Sequence, residues 1–192
     1  MTRNKILFFL FFFFFTSNSF AKASSENYNS FAKASSENYD EDKVLVSSAE
    51  NIFIKYSINA QVSVTVKSRI YFLYDNGDKE FPFEVNIKLF DKKHNLVMTL
   101  HSNEAYMDVQ RNLWLLRGDV EVISYGKNKL RRVNAELLYW DQENETFYNN
   151  NFVRFEGEDF CATGYNFFAK QNFSYYKMEK MDCTSFLGQD FF

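Results

Sequence analysis

From Val44 onward the dominant rhythm of the chain is an alternation of apolar and polar residues. It is clearest in Ile52–Tyr56, Val62–Lys67, Ile70–Tyr74, Glu84–Phe90, Leu96–Leu100 and Asp119–Ser124, and in the fourth of these Val85, Ile87 and Leu89 share one face. Successive side chains of a strand point to opposite faces, so a period of two predicts half-buried β-strands. No window of about eleven residues or more carries an apolar stripe at helical spacing, which confines any helix to a short peripheral one. The turn signals centre on asparagine, in Asp75-Asn76-Gly77, Lys93-His94-Asn95, Gly126-Lys127-Asn128, Asn149-Asn150-Asn151 and Gln171-Asn172. Asparagine tolerates left-handed backbone and here stands in for scarce glycine.

The strand pattern also repeats. Laying Tyr106-Met107-Asp108 on Tyr139-Trp140-Asp141 superposes Trp114 on Phe147, Val120 on Val153 and Val122 on Phe155. A weaker third copy starts at Phe167-Phe168-Ala169, with Lys170-Gln171-Asn172 at the turn. Hairpins that cannot bury an apolar face alone must stack, which predicts a layered, elongated sandwich able to leave an open groove between its sheets.

Ahead of the strands the pattern changes twice. Arg3 and Lys5 precede an apolar run from Ile6 to Phe15, which gives way to Thr16, Ser17, Asn18 and Ser19. About ten helical residues span about 15 Å, half of a bilayer's hydrocarbon core of about 30 Å. Residues 1–23 therefore read as a signal peptide with small residues at Ala21 and Ala23, or else as a short N-terminal anchor. No cysteine nearby offers a site for a lipid anchor. Asn18–Tyr28 then recurs letter for letter as Asn29–Tyr39. Its Ser, Asn and Glu cannot repay the entropy of ordering, so residues 24–43 read as a polar linker and 44–192 as one folded domain.

Composition sharpens this picture. The 192 residues include 24 Phe and 12 Tyr but only 6 Gly and 1 Pro, a balance suited to pleated, half-buried surfaces. A net charge of −3 provides no broad footprint for phosphate backbones, and nucleic acid is not expected as a partner. An exported chain with Cys161 and Cys183 invites a disulfide, whose loop closure would contribute about 3 kcal/mol in the chain-entropy model. Two small buried thiols on neighbouring strands are the alternative.

Three blocks carry a family resemblance: Ser102-Asn103-Glu104-Ala105-Tyr106, the stretch from Asn112-Leu113-Trp114 through Gly118-Asp119-Val120-Glu121-Val122, and Glu136-Leu137-Leu138-Tyr139-Trp140-Asp141. Together with Ala49–Ser57, Phe83–Asp91, Phe152–Phe155 and Thr163-Gly164-Tyr165, they resemble LptC, the periplasmic lipopolysaccharide-export component, in the wider family of LptA and OstA proteins. The resemblance runs from about Ala49 to Asp182. It implies an all-β fold: a twisted, boat-like β-jellyroll of two facing antiparallel sheets whose apolar groove receives the acyl chains of lipopolysaccharide. It further implies an inner-membrane ABC transporter as donor and an LptA-like bridge protein as acceptor, docked by edge-strand pairing around Tyr175–Cys183. The expected location is the periplasm, soluble after cleavage or tethered by the N-terminal segment. Family members usually keep a membrane helix or lipid anchor, where this chain has a short apolar run and a duplicated spacer.

Such a groove needs contiguous apolar surface and no titratable group, each Å² withdrawn from water contributing about 25 cal/mol. Val120, Val122, Val153 and Phe155 are the expected groove residues, because Asp119, Glu121 and Arg154 alternate with them; the same pattern also suits a sealed core. Tyr106, Trp114, Tyr139, Trp140 and Phe147 are expected as fold-defining aromatics. Lys127, Lys129, Arg131 and Arg132 form a basic cluster, which reads as a solvated turn or as a contact for lipid phosphates. Glu156, Glu158 and Asp159 surround Gly157 without the cleft that acid–base chemistry requires. His94 and His101 lack metal-ligand spacing, and serine-nucleophile and nucleotide-loop patterns are absent. No catalytic residue, metal or cofactor is therefore expected. The alternatives are a soluble LptA-like bridge protein and a structural exported β-sandwich without lipid.

Overall fold

The structure, a computed structural model, describes residues 43–58, 61–126 and 130–185. The expected signal peptide or anchor at residues 1–23, the duplicated spacer, Lys127 and Lys129 lie outside them. The described residues contain no helix, and twelve strands form one hydrogen-bonded antiparallel sheet. They are β1 (Leu45–Ile58), β2 (Gln61–Tyr74), β3 (Lys79–Phe81), β4 (Val85–Phe90), β5 (Leu96–Ser102), β6 (Glu104–Asp108), β7 (Leu113–Tyr125), β8 (Leu130–Asp141), β9 (Thr146–Asn149), β10 (Val153–Glu156), β11 (Phe160–Lys170) and β12 (Tyr176–Ser185).

The long strands change partners midway. Val64–Lys67 of β2 pair with β4, but Phe72 and Leu73 pair with β3. Likewise β7 passes from β6 to β5, β8 from β10 to β9, and β11 from β10 to β9. The pairings close two circuits, β2–β4–β5–β7–β6–β3 and β8–β10–β11–β9, joined by the β7–β8 ladder. Only β1 and β12, paired to β2 and β11, keep one edge unpaired among the described strands.

The change of partner has a local cause. At that level Asn51, Glu84, Gly118, Asp119, Asn166 and Lys180 all have positive φ, which bends or bulges the chain. Between Arg117 and Val120 the β7–β8 register slips, at Gly118 with φ 68°. A Cβ there would stand 2.9 Å from Asn103 Nδ2, so left-handed backbone and close approach both require glycine. Backbone bonds stitch the bend together: Glu84 N donates to Asn103 O at 2.7 Å, and Asn103 N to Gly118 O at 2.9 Å. The sequence pattern broke at this level and predicted two strands, Val62–Lys67 and Ile70–Tyr74, where β2 is continuous.

The sequence repeat is visible in the hairpins. Met107 pairs with Trp114 and Trp140 with Phe147; Asp108 and Asp141 each accept the backbone N–H three residues on, both at 2.9 Å. The turns also bond to one another, Gln142 N to Asn112 O and Gln171 N to Glu145 O. The third copy is displaced by one residue from its sequence match. Buried Phe167 and Ala169 correspond to Leu138 and Trp140, because Ala169 must face Phe147 and a one-residue step would turn both outward.

Candidate functional site

The register defines what the interior is made of. On one side of the bend an inner row runs Ile54, Val66, Ile87, Leu100, Val122, Val133, Phe155, Ala162, Cys183, from edge strand β1 to edge strand β12. On the other side the inner row is Leu73, Lys79, Met107, Trp114, Trp140, Phe147, Ala169, Tyr176. Most members of both rows, among them Val66, Ile87, Leu100, Val122, Val133, Phe155, Met107, Trp114, Trp140, Phe147 and Ala169, belong to one apolar cluster.

Of the expected groove residues, Val120 is 1% exposed and Val122, Val153 and Phe155 are 0% exposed, all inside that cluster. Their neighbours Glu121 and Arg154 face outward, as alternation requires. Glu121 Oε1 lies 3.1 Å from Arg132 Nε, while Arg154 and Arg132 both approach Glu156, at 2.5 and 3.9 Å. Glu156 thus serves an outer ion ladder.

Trp114, Trp140 and Phe147 form a stack with Phe81 and Phe173, ring centroids 5.5–6.1 Å apart. Phe155 meets Phe173 and Tyr176 at 5.7 and 4.5 Å, so side chains from the two sides of the bend touch across the interior. Tyr106 and Tyr139 are different. Each precedes an inward residue, and register therefore places them on the outer face beside Leu115. Tyr139 stacks on Tyr148 at 4.9 Å, and Tyr106 donates its hydroxyl proton to Asp78. Asp78, 3% exposed, also accepts from Lys43, Asn76 and Val109 N.

The disulfide expectation is corrected. Cys161 and Cys183 are free thiols. Cys183 pairs with inward Ala162, whereas Cys161 pairs with Thr184 one step along, so the thiols emerge on opposite faces of β11–β12. The alternative of two buried thiols holds for their placement on neighbouring strands, but Cys183 is exposed and Cys161 half-buried.

Periodicity missed three polar groups associated with the interior. Tyr56 packs against the core with its hydroxyl buried and, among the described residues, unbonded; burial, with Tyr71 beside it, pushes that hydroxyl well above the ordinary tyrosine range. Lys79 sits on an inner row, and burial pushes its ammonium below the usual lysine range against the opposing pull of Asp78. Arg131 also takes an inward register, opposite Ser124, whereas Arg132 faces outward. His101 bonds Asn86 at 3.2 Å and His94 packs edge-on to Phe90, and among the described residues no cluster could hold a metal. No family model matches the chain, and no curated protein matches it.

Proposed function

We propose that the chain is an exported lipid carrier of the LptC kind, a β-jellyroll of two facing sheets whose groove takes acyl chains of lipopolysaccharide from an inner-membrane ABC transporter and passes them on. It works in the periplasm by shape and apolarity, without catalysis or cofactor. The observation that carries this reading is an inner row that runs apolar almost from edge to edge, ending at β1 and β12 with one side of each unpaired. An exposed sheet edge is a hazard that most proteins cover, but it suits a protein that extends its sheet onto a neighbour. In this reading β12 receives an LptA-like bridge protein. Cleaved after Ala23, the same chain would be a soluble bridge of the LptA kind.

A second reading is favoured by the near-zero exposure of Val120, Val122, Val153 and Phe155: a structural β-sandwich whose interior is only core. Photoreactive residues placed at these four positions, with Glu121 and Arg154 as outward controls, separate the two. Lipopolysaccharide adducts at the inner positions alone are the expected result. A folded protein labelled at none of the six would leave the structural reading standing and remove the carrier.

A further inference from the structure

Consecutive arginines on β8 face opposite sides of the sheet, and among the described residues only one has a carboxylate. Arg132 points outward between Glu121 and Glu156. Arg131 continues an inner row, Tyr56, Val64, Leu89, Met98, Ser124, Arg131, whose other members are apolar or hydroxylic. This is the last inner row before the β1–β2, β4–β5 and β7–β8 hairpins turn, so it lies at a rim of the interior. Among the described residues no carboxylate lies within ion-pair distance of Arg131; its guanidinium carbon stands 5.9 Å over the ring of Tyr176. Tyr176 in turn packs on Phe155 and Phe160, at centroid distances of 4.5 and 6.3 Å.

A guanidinium is always charged, and withdrawing it from water toward an apolar face is unfavourable unless an anion meets it. Lys79, the other cation on an inner row, has Asp78 as an electrostatic neighbour. Arg131 has an aromatic ring on one side and the interior rim on the other. A planar fork of donors there suits an oxyanion, and the apolar row behind it suits a chain attached to that oxyanion.

We infer that Arg131, backed by Tyr176, binds the phosphate head group of an amphiphile whose acyl chain enters the interior. The inference rests on the carrier reading and adds a head-group requirement to it. Phosphate at this rim orients the amphiphile, chain inward and head at the hairpin end. Arg132 does not contribute, since its charge is met on the outer face.

The test uses the purified full chain and two probes with the same myristoyl chain: lysophosphatidate, which carries a phosphate, and monoacylglycerol, which does not. Binding is read by calorimetry, with inorganic phosphate as a third titrant. The expected result is a preference for lysophosphatidate of about tenfold, the scale of one charge-assisted hydrogen bond, and no binding of inorganic phosphate. Arg131→Met should erase the preference while leaving monoacylglycerol binding unchanged, Arg131→Gln should do the same, and Arg132→Met should keep it. Equal binding of both probes by the wild type, or a preference that survives in both Arg131 variants, overturns the head-group site and leaves the carrier reading intact. Binding of inorganic phosphate alone would show a free-anion site and overturn the amphiphile. Failure of both amphiphiles to bind the wild type overturns the carrier reading as well.

Discussion

The two sides of the bend solve the same packing problem with different residues. On one, the inner row is aliphatic and largely β-branched, with Val66, Ile87, Leu100, Val122 and Val133 in register. On the other it is aromatic, Trp114 on Trp140 on Phe147, continued by Phe81 and Phe173. Each valine contributes few contacts, whereas each ring is held by two neighbours and fills a volume that no other residue of the row can supply. The aromatic side is therefore held by more interlocked contacts than the aliphatic one. Trp140→Ala should lose about 3–5 kcal/mol in urea unfolding, against about 1–2 kcal/mol for Val133→Ala. Equal losses would abolish the contrast.

The bend that separates the two sides should come next in effect. Gly118→Ala places a Cβ against Asn103 and strains a residue at positive φ, for an expected loss of about 1–2 kcal/mol by thermal or urea unfolding. Combining it with Asn103→Ala relieves the contact but not the backbone strain, so the double variant should show less than the sum of the two losses. Full additivity would mean that Asn103 is not what crowds the site.

The outer faces differ as well, and pH distinguishes them. The aliphatic side carries the solvated ladder of Glu121, Arg132, Glu156 and Arg154, where Arg132→Met should cost under about 1 kcal/mol. The aromatic side carries Asp78 under Tyr106. Burial alone would push its carboxyl up, but the bonds from Lys43, Tyr106, Val109 and Asn76 outweigh burial and hold it below the usual carboxylate range. A carboxylate depressed by folding contributes stability that is present above its unfolded value, about 3.9, and is lost as pH falls through its folded one. The stability gap between wild type and Asp78→Asn should therefore be constant above about pH 5 and close below about pH 4. A gap unchanged in acid would mean that the network stabilises Asp78 no more in its charged form than in its neutral one.

Much of this architecture was legible in the chain. Period two gave the all-β fold and the inward set at Val120, Val122, Val153 and Phe155, because alternation is a local property. The repeat gave the two hairpins whose Asp108 and Asp141 bond their turns alike. The bend was not legible: Asn51 and Asn166 are asparagines but Glu84 and Lys180 are not, and what the four have in common is a level in the sheet that only pairing reveals. Tyr106 and Tyr139 were grouped with Trp114 and Trp140 for their size, although each is one residue out of phase with the inward set. Arg131 and Arg132 share charge and adjacency in the sequence, and only register divides them.

The smallest effect expected is that of a reductant, and it tests how firmly the two sides are held together at β12. Cys161 and Cys183 are one register step apart on opposite faces, so both should react with a thiol reagent in the folded protein, exposed Cys183 first, with no change in Tm on reduction. A bond between them would require β12 to slip by one residue along β11. Because the side-chain period is two, that slip would turn Tyr176 and Met178 away from the interior. Tyr176 would then lose Phe155 and Phe160, contacts through which the aromatic side reaches the aliphatic one. Oxidised protein that contained the disulfide and still kept its Tm would show that β12 can slide without cost. In that case the contacts of Tyr176 would contribute nothing to holding the two sides together.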